Sequence, residues 1–156
     1  YINSDVRGVQ IGGAVKNVIS IASGIVEGLG YEENTTSALL TRGLYEIKKL
    51  GAVLKAEDGT FNGLAGLGDL MATAFSEHSR NRIVGINISK GISAEETIRS
   101  INMKAEGVYS SKSVFKLAQN FNIEMPICCN VYEIIYNNKS PKLAINELMT
   151  RKLKSE

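Results

Sequence analysis

The sequence predicts a single all-α domain, and three observations support that fold class. Apolar residues recur at intervals of three and four, the spacing of a helix that buries one side. No segment shows the period-two alternation of a half-buried strand, and none repeats another. The 156 residues, 44% hydrophobic and 22% charged, have the size and balance of one globular domain.

The first predicted helix is long, with apolar residues spaced from Ile11 to Leu29 and the glycines Gly28 and Gly30 at its end. At about 100° per residue, another side of the same helix brings together small and charged residues. This group is Gly12, Lys16, Ser20, Ser23 and Glu27. Because small residues surround the lysine, a ligand or another backbone can come close to it.

Further helices follow, joined by glycine-rich and polar segments. A second helix is predicted after the possible N-caps at 34–37, and it is followed by a glycine-rich stretch at 63–70 and a polar segment at 76–82. A capping box begins at Ser93. The remaining helices are predicted at 93–102, 110–121, 127–136 and 141–152. The last of them has Ser140 as its N-cap and a proline in its first turn, where a missing N–H does no harm.

Composition argues against several classes of protein. A net charge of +2 is far short of a nucleic-acid-binding surface, and the basic residues at 151–154 are interpreted as a solvated tail. No apolar run approaches the ~20 residues of a membrane span, and the first residues lack a secretory signal. Neither nucleic acid nor a membrane is therefore an expected partner. The chain starts at Tyr1 and not at a methionine, which fits a piece of a larger protein.

The two cysteines, Cys128 and Cys129, are neighbours, so they form neither a framework disulfide nor a spaced metal site. We interpret them as reduced residues of a cytoplasmic protein, packed in or near the core. Tyr132 and Tyr136, four residues apart, are interpreted as a packing pair. The single histidine, His78, is expected in a solvent-facing loop, and no metal site is predicted.

Three polar groups are hard to explain by packing alone. Lys16 and Asn17 lie inside an apolar helix, Asp69 follows a glycine-rich turn, and residues 79–82 include two arginines. Each group has an ordinary alternative: the lysine can extend to solvent, Asp69 can cap a helix beginning at Leu70, and the arginines can pair with surface carboxylates. The residue types alone leave these alternatives open.

Three strings resemble, in order and spacing, the C-terminal domain of bacterial NAD(P)-dependent glycerol-3-phosphate dehydrogenases. They are GVQIGGAVKN at 8–17, GLGDL at 66–70 and SRNR at 79–82. Shorter matches at 41–43, 106–107 and 124–127 extend the resemblance over nearly the whole chain. The resemblance implies a phosphogluconate-dehydrogenase-like helical domain over residues 1–156, which binds the substrate, with an α/β nucleotide-binding domain upstream of Tyr1.

The reaction implied by the resemblance is the reversible, NAD(P)H-dependent reduction of dihydroxyacetone phosphate to sn-glycerol 3-phosphate for phospholipid synthesis. NAD or NADP would be held mostly by the upstream domain, so this domain alone would be inactive. A homodimer is also implied, since helical faces of this superfamily often form dimers. The nucleotide motif G-x-G-x-x-G is absent here: the glycines at 63–68 have a similar rhythm but follow no predicted strand.

The resemblance assigns the chemistry to a few residues. Lys16 would act as general acid towards the carbonyl oxygen, and as general base in the reverse direction. The residues in contact with the substrate would be Lys16, Asn17, Asp69, Ser79, Arg80 and Asn81. Of these, Arg80 would grip the phosphate and also touch the cofactor. Glu106 would contact the cofactor too, although Lys104 stands where relatives often place an aliphatic residue.

Two other functions are compatible with these residues. The helical domain of a related hydroxy-acid dehydrogenase also places a lysine and an asparagine on a long helix after glycines. A non-catalytic helical dimerisation module is a different class of answer. In such a module, changing Lys16 or Asp69 would disturb association and leave the activity of the parent protein intact.

Overall fold

The structure is a computed structural model that describes residues 2–101 and 104–150, and the regular structure of these residues is entirely helical. The predicted all-α class is therefore confirmed. The elements in chain order are α1 Val6–Gly28, α2 Glu33–Val53, α3 Asp58–Asn62, a π-helical turn Leu64–Gly68, α4 Asp69–Phe75, α5 Arg80–Ser89, α6 Ala94–Ile101, α7 Glu106–Asn120, α8 Pro126–Asn137 and α9 Pro141–Met149.

Helix α1 runs through the centre of the domain. It begins earlier than its apolar pattern, because Asp5 accepts a hydrogen bond from the backbone N–H of Gly8 at 2.9 Å and so caps the first turn. It ends where predicted, and Gly30 takes a positive φ of 80° just beyond it. The other elements that pack against α1 are α2, α3, the π-helical turn, α4, α5, α7 and α8. Core formation therefore depends on α1.

Helix α1 is long and apolar. By length and composition alone it could cross a membrane, although Lys16 and Asn17 interrupt its apolar residues. Of its most apolar window, 61% is buried inside the domain. The burial of Val18, Ile19 and Ile21, each 0% exposed, shows that this apolar surface forms the protein core.

Helix α5, which carries the polar segment at its start, was not predicted as a helix. It lacks a clear apolar stripe because asparagines and Gly85 interrupt the pattern. It packs instead by backbone proximity: a Cβ added to Gly85 would lie 2.0 Å from the carbonyl oxygen of Ile21, and one added to Gly24 would lie 2.0 Å from that of Arg82. Two glycines thus allow α1 and α5 to approach more closely than side chains would permit.

Most other predicted helices are present, with shifted ends. Helix α2 begins at Glu33 and uses none of the predicted side-chain caps, since the N-cap position is Glu32 and no side-chain cap bond forms there. The capping box is confirmed by reciprocal bonds between Ser93 and Glu96. Ser140 caps α9 as predicted. The predicted helix ends at 102 and 152, and the basic residues at 151–154, lie outside the described residues.

The glycine-rich stretch forms the π-helical turn and continues directly into α4. Its Gly66 lies against the backbone of Phe61, where an added Cβ would be only 2.3 Å from the Phe61 Cα. This glycine serves close packing, and the turn shapes the entry to α4. Asp69 is consequently the first residue of α4.

Candidate active site

Lys16 and Asp69 form an ion pair between α1 and α4, in which the lysine Nζ donates to Asp69 Oδ1. The lysine side chain is 19% exposed and the aspartate side chain 40%, so the pair lies at the edge of the solvent. Thr73, one turn along α4, donates to the Asp69 carbonyl oxygen at 2.7 Å and lies 3.5 Å from its carboxylate. The pair therefore presents an oriented ammonium group at an accessible surface.

The two ordinary alternatives for these residues are not what the structure shows. Lys16 does not extend freely into solvent, since it bonds to Asp69. Asp69 does not cap the helix, because it already has helical dihedral angles and Gly68 occupies the N-cap position. Its carboxylate is directed towards the lysine.

Asn17 and Asn81 join three helices in a buried network. Each is 8% exposed, and the Asn81 amide nitrogen donates to Asn17 Oδ1 at 3.0 Å. Asn81 Oδ1 accepts from the backbone N–H of Gly107 at 2.9 Å, which fixes the orientation of that amide. Asn17 donates to Gly13 O at 3.1 Å and lies 3.5 Å from Glu106 Oε2. The network brings the predicted cofactor residue Glu106 to the lysine-bearing helix.

Ser79 occupies the N-cap of α5. Its Oγ accepts from the backbone N–H of Arg82 at 3.3 Å and lies 3.1 Å from Ser20 Oγ. Ser20, one turn after Lys16 on α1, also donates to Thr73 O at 3.2 Å. The start of α5 is therefore bonded both to α1 and, through Ser20, to α4.

The two arginines of the polar segment behave differently. Arg82 binds Glu27 through two hydrogen bonds of 2.7 and 2.6 Å, so pairing with a surface carboxylate explains it. Arg80, the first residue of α5, is exposed, and its side chain makes no hydrogen bond or ion pair with any described residue. Its guanidinium is free to bind an anionic ligand.

The remaining residues singled out in the sequence lie away from this chemistry. His78 is exposed in the connection before α5, as expected. Burial raises the pKa of the Cys128 thiol well above its usual range and that of Cys129 to about 11, so both thiols stay protonated at neutral pH. The ring centroids of Tyr132 and Tyr136 are 5.1 Å apart, which confirms the packing pair. Lys104 is exposed just before α7.

Sequence reasoning missed three contributors to the site. They are the Ser20 hydroxyl bridge, the Thr73 hydroxyl and the backbone N–H of Gly107. The first two carry a signal, since Ser20 and Thr73 follow Lys16 and Asp69 by four residues on the same helices. The third depends on a contact between distant segments, for which the sequence holds no such signal.

Comparison with known proteins identifies the family of the chain. The family described as NAD-dependent glycerol-3-phosphate dehydrogenase C-terminus matches residues 5–146. A glycerol-3-phosphate dehydrogenase of Trichlorobacter lovleyi, named for NAD(P)+, is 52% identical over 156 residues, which are 100% of this chain and 47% of that relative.

Two solved structures of glycerol-3-phosphate dehydrogenases share the fold. The one from Coxiella burnetii has a TM-score of 0.94 and 40% identity, covering 97% of this chain and 46% of its own. The one from Saccharomyces cerevisiae has a TM-score of 0.84 and 30% identity, and the match covers 94% of this chain and 43% of the yeast chain. The chain thus spans about half the length of the curated relatives it matches. It belongs to the NAD-dependent glycerol-3-phosphate dehydrogenase family, of which it represents the all-helical C-terminal domain.

Proposed function

We propose that the complete protein containing this chain catalyses the reversible, NAD(P)H-dependent reduction of dihydroxyacetone phosphate to sn-glycerol 3-phosphate. The domain of residues 1–156 supplies the substrate site. The observation that carries the proposal is the oriented Lys16–Asp69 pair. Hydrogen bonds through Ser20 link α4, which carries Asp69, to the start of α5, where the Arg80 side chain pairs with no described residue. A proton donor and an anion-binding group are the two functions that a phosphorylated ketone requires.

Lys16 is the proton donor in this proposal. As the carbonyl carbon is reduced, negative charge builds up on its oxygen, and a positioned ammonium group stabilises that charge and then transfers a proton to it. In the reverse direction the neutral amine removes the proton from the C2 hydroxyl. Asp69 keeps the ammonium directed towards one point, and Thr73 restrains Asp69 from the next turn.

The phosphate is held at the start of α5. Arg80 offers two parallel N–H groups to two phosphate oxygens, and the helix N-terminus favours a negative charge. Ser79 and Asn81 flank the arginine. Asn81 contacts the substrate with the amide hydrogen that its bond to Asn17 leaves free, and that bond holds both side chains in place. Asn17 contacts the substrate by exchanging its long 3.5 Å contact with Glu106 for one to the substrate.

A nicotinamide cofactor, when bound, supplies the hydride. The residues of this chain fit only the edge of such a site: Arg80 and Glu106 are exposed and reach the surface beside Asn17 and Asn81. Within the glycine-rich stretch 63–68, Gly66 packs against the backbone of Phe61, so this glycine serves packing and not the close approach of a pyrophosphate. We therefore propose that a nucleotide-binding domain elsewhere in the complete protein holds most of the cofactor, and that the isolated chain does not turn over.

The test is the rate of NADH and NADPH oxidation by the complete protein with dihydroxyacetone phosphate, compared with unphosphorylated dihydroxyacetone. We expect turnover that depends on the phosphate, and none from the isolated chain. No turnover by a folded, cofactor-binding protein would reject the proposal, and activity on a hydroxy acid instead would assign the protein to the related dehydrogenases.

The variant Lys16→Ala tests the role of the lysine in the same assay. Loss of a positioned proton donor should lower kcat by roughly 10²- to 10⁴-fold, with an unchanged far-ultraviolet circular dichroism spectrum. The matched control is Lys48→Ala on α2, which removes another lysine–aspartate pair. Lys48 Nζ lies 3.2 Å from Asp58 Oδ2, and its side chain is 26% exposed. The control should keep its turnover; a Lys16→Ala protein that does the same would refute the mechanism.

A further inference from the structure

Ser20 is a fully buried polar residue at the junction of the three segments that form the site. It lies one turn after Lys16 on α1 and is 0% exposed. A buried hydroxyl must find hydrogen-bond partners, and Ser20 has two, Thr73 O at 3.2 Å and Ser79 Oγ at 3.1 Å. The first belongs to the helix that carries Asp69, and the second is the cap of the helix that carries Arg80.

The direction of these bonds follows from the number of hydrogens available. The Thr73 carbonyl lies in the last turn of α4, where carbonyl groups have no partner within the helix, so it needs the single hydrogen of Ser20. Ser79 Oγ already accepts from Arg82 N–H. The hydrogen of Ser79 therefore points to Ser20, and one directed chain runs from the first turn of α5 through both hydroxyls to the last turn of α4.

This chain of bonds fixes both ends of the short connection between α4 and α5. At one end, Thr73 also bonds to Asp69, the partner of Lys16. At the other end, Ser79 immediately precedes Arg80. We infer that Ser20 is a positioning residue for the substrate site, which sets the phosphate-binding start of α5 relative to the Lys16–Asp69 pair. The inference rests on the proposed function and names a residue that acts through Ser79 and Thr73, without touching the substrate.

Ser23 provides a matched control on the same helix. It is also buried, at 1% exposed, and its hydroxyl donates to Ala74 O of α4 at 3.4 Å. It makes no hydrogen bond to Ser79 or to any other proposed site residue that the structure describes. Replacing Ser23 by alanine thus removes a comparable buried hydroxyl from the same pair of helices and leaves the hydrogen bonds from Ser20 to Ser79 and Thr73 intact.

The experiment measures steady-state kinetics of the complete protein with dihydroxyacetone phosphate as the varied substrate. We expect Ser20→Ala to raise KM about fivefold, the scale of one lost hydrogen bond, with a smaller fall in kcat. The KM of Ser23→Ala should stay within about twofold of the wild-type value, even if its melting temperature falls as much as that of Ser20→Ala. In a Ser79→Ala background, Ser20→Ala should raise KM by less than it does in the wild type, because the bond from Ser20 to Ser79 is already lost and only the bond to Thr73 O remains to be removed.

An unchanged KM in Ser20→Ala, an equal change in Ser23→Ala, or full additivity with Ser79→Ala would each overturn the inference. If Ser20→Ala does not fold, Ser20→Cys is measured by the same criteria, since its thiol fills the site but forms weaker hydrogen bonds. Failure of the proposed function is a separate outcome: it would appear as a wild-type protein that does not reduce dihydroxyacetone phosphate at all.

Discussion

Glu46 is a buried carboxylate that joins α2 to the start of α8. It is 2% exposed, and its two oxygens accept the backbone N–H groups of Ile127 at 2.7 Å and Cys128 at 3.1 Å. Burial raises the pKa of Glu46 to about 7, although these two bonds and the charge of Lys49 act in the opposite direction. The residue thus caps a helix across the domain, and its desolvation makes it a proton-binding group near neutral pH.

The free energy of unfolding should therefore depend on pH through Glu46. Its pKa is about 7 in the folded protein and near 4.5 in the unfolded chain, so the folded state binds more protons between these values. The stability linked to this proton is present below pH 4.5 and is lost as the pH rises through 7. We expect urea unfolding of this chain to show a decline on the order of 2–3 kcal/mol between pH 4.5 and 8.

The variant Glu46→Gln tests this expectation, because a glutamine cannot titrate and keeps one acceptor for the helix α8 N–H groups. The free energy of unfolding of Glu46→Gln should be lower than that of the wild type at acidic pH, and it should change little between pH 4.5 and 8. The exposed Glu57→Gln serves as control and should retain the wild-type slope. An identical slope in the wild type and in Glu46→Gln would show that other groups control the pH dependence.

Single residues also show what the sequence can and cannot predict about the site. Lys16 and Asp69 could be predicted as functional residues, because burying a charge within an apolar or glycine-rich segment costs free energy that packing does not explain. The bond between them was not predictable from spacing, since 53 residues separate them. The buried position of Glu46 could not be predicted from the sequence, because its partners Ile127 and Cys128 lie 81 and 82 residues away and bond to it through backbone N–H groups.

At the scale of elements, helices with an apolar stripe were predictable and α5 was not. A stripe predicts a helix because side chains provide the buried surface, whereas α5 contacts α1 through backbone atoms around Gly24 and Gly85. This close contact also holds the start of α5, with Ser79 and Arg80, against α1. The position of the proposed phosphate site therefore depends on two glycines that sequence periodicity counts as interruptions.

Alanine substitutions should separate the two roles that glycine plays in α1. In Gly24→Ala the new Cβ meets the Arg82 carbonyl oxygen at 2.0 Å, so α5 must move, and we expect a loss of about 2 kcal/mol or more in the free energy of unfolding. In Gly13→Ala nothing lies within 4 Å of the new Cβ, so the better helix propensity of alanine should add about 0.5–1 kcal/mol. Urea unfolding followed by circular dichroism measures both, and equal effects would disprove the close contact.

At the scale of the whole molecule, stability should be graded from α1 outwards. Helix α1 packs against most other elements, whereas α9 packs mainly on α8 and α5. The buried side of α9 is small, formed by Ala144, Ile145 and Leu148. Opening α1 would expose the whole core, while opening α9 would expose one short apolar face.

Native-state hydrogen exchange of this chain, read out segment by segment, should reveal that gradient. The amides at the centre of α1 should exchange only through global unfolding, so their protection should equal the free energy measured with urea. Those of α9 should exchange through a smaller opening, and Leu148→Ala should speed that opening further while leaving the α1 amides dependent on global unfolding alone. Equal protection of α9 and α1 would mean that the domain unfolds as one indivisible unit, in which α9 is as firmly held as the helix that carries Lys16.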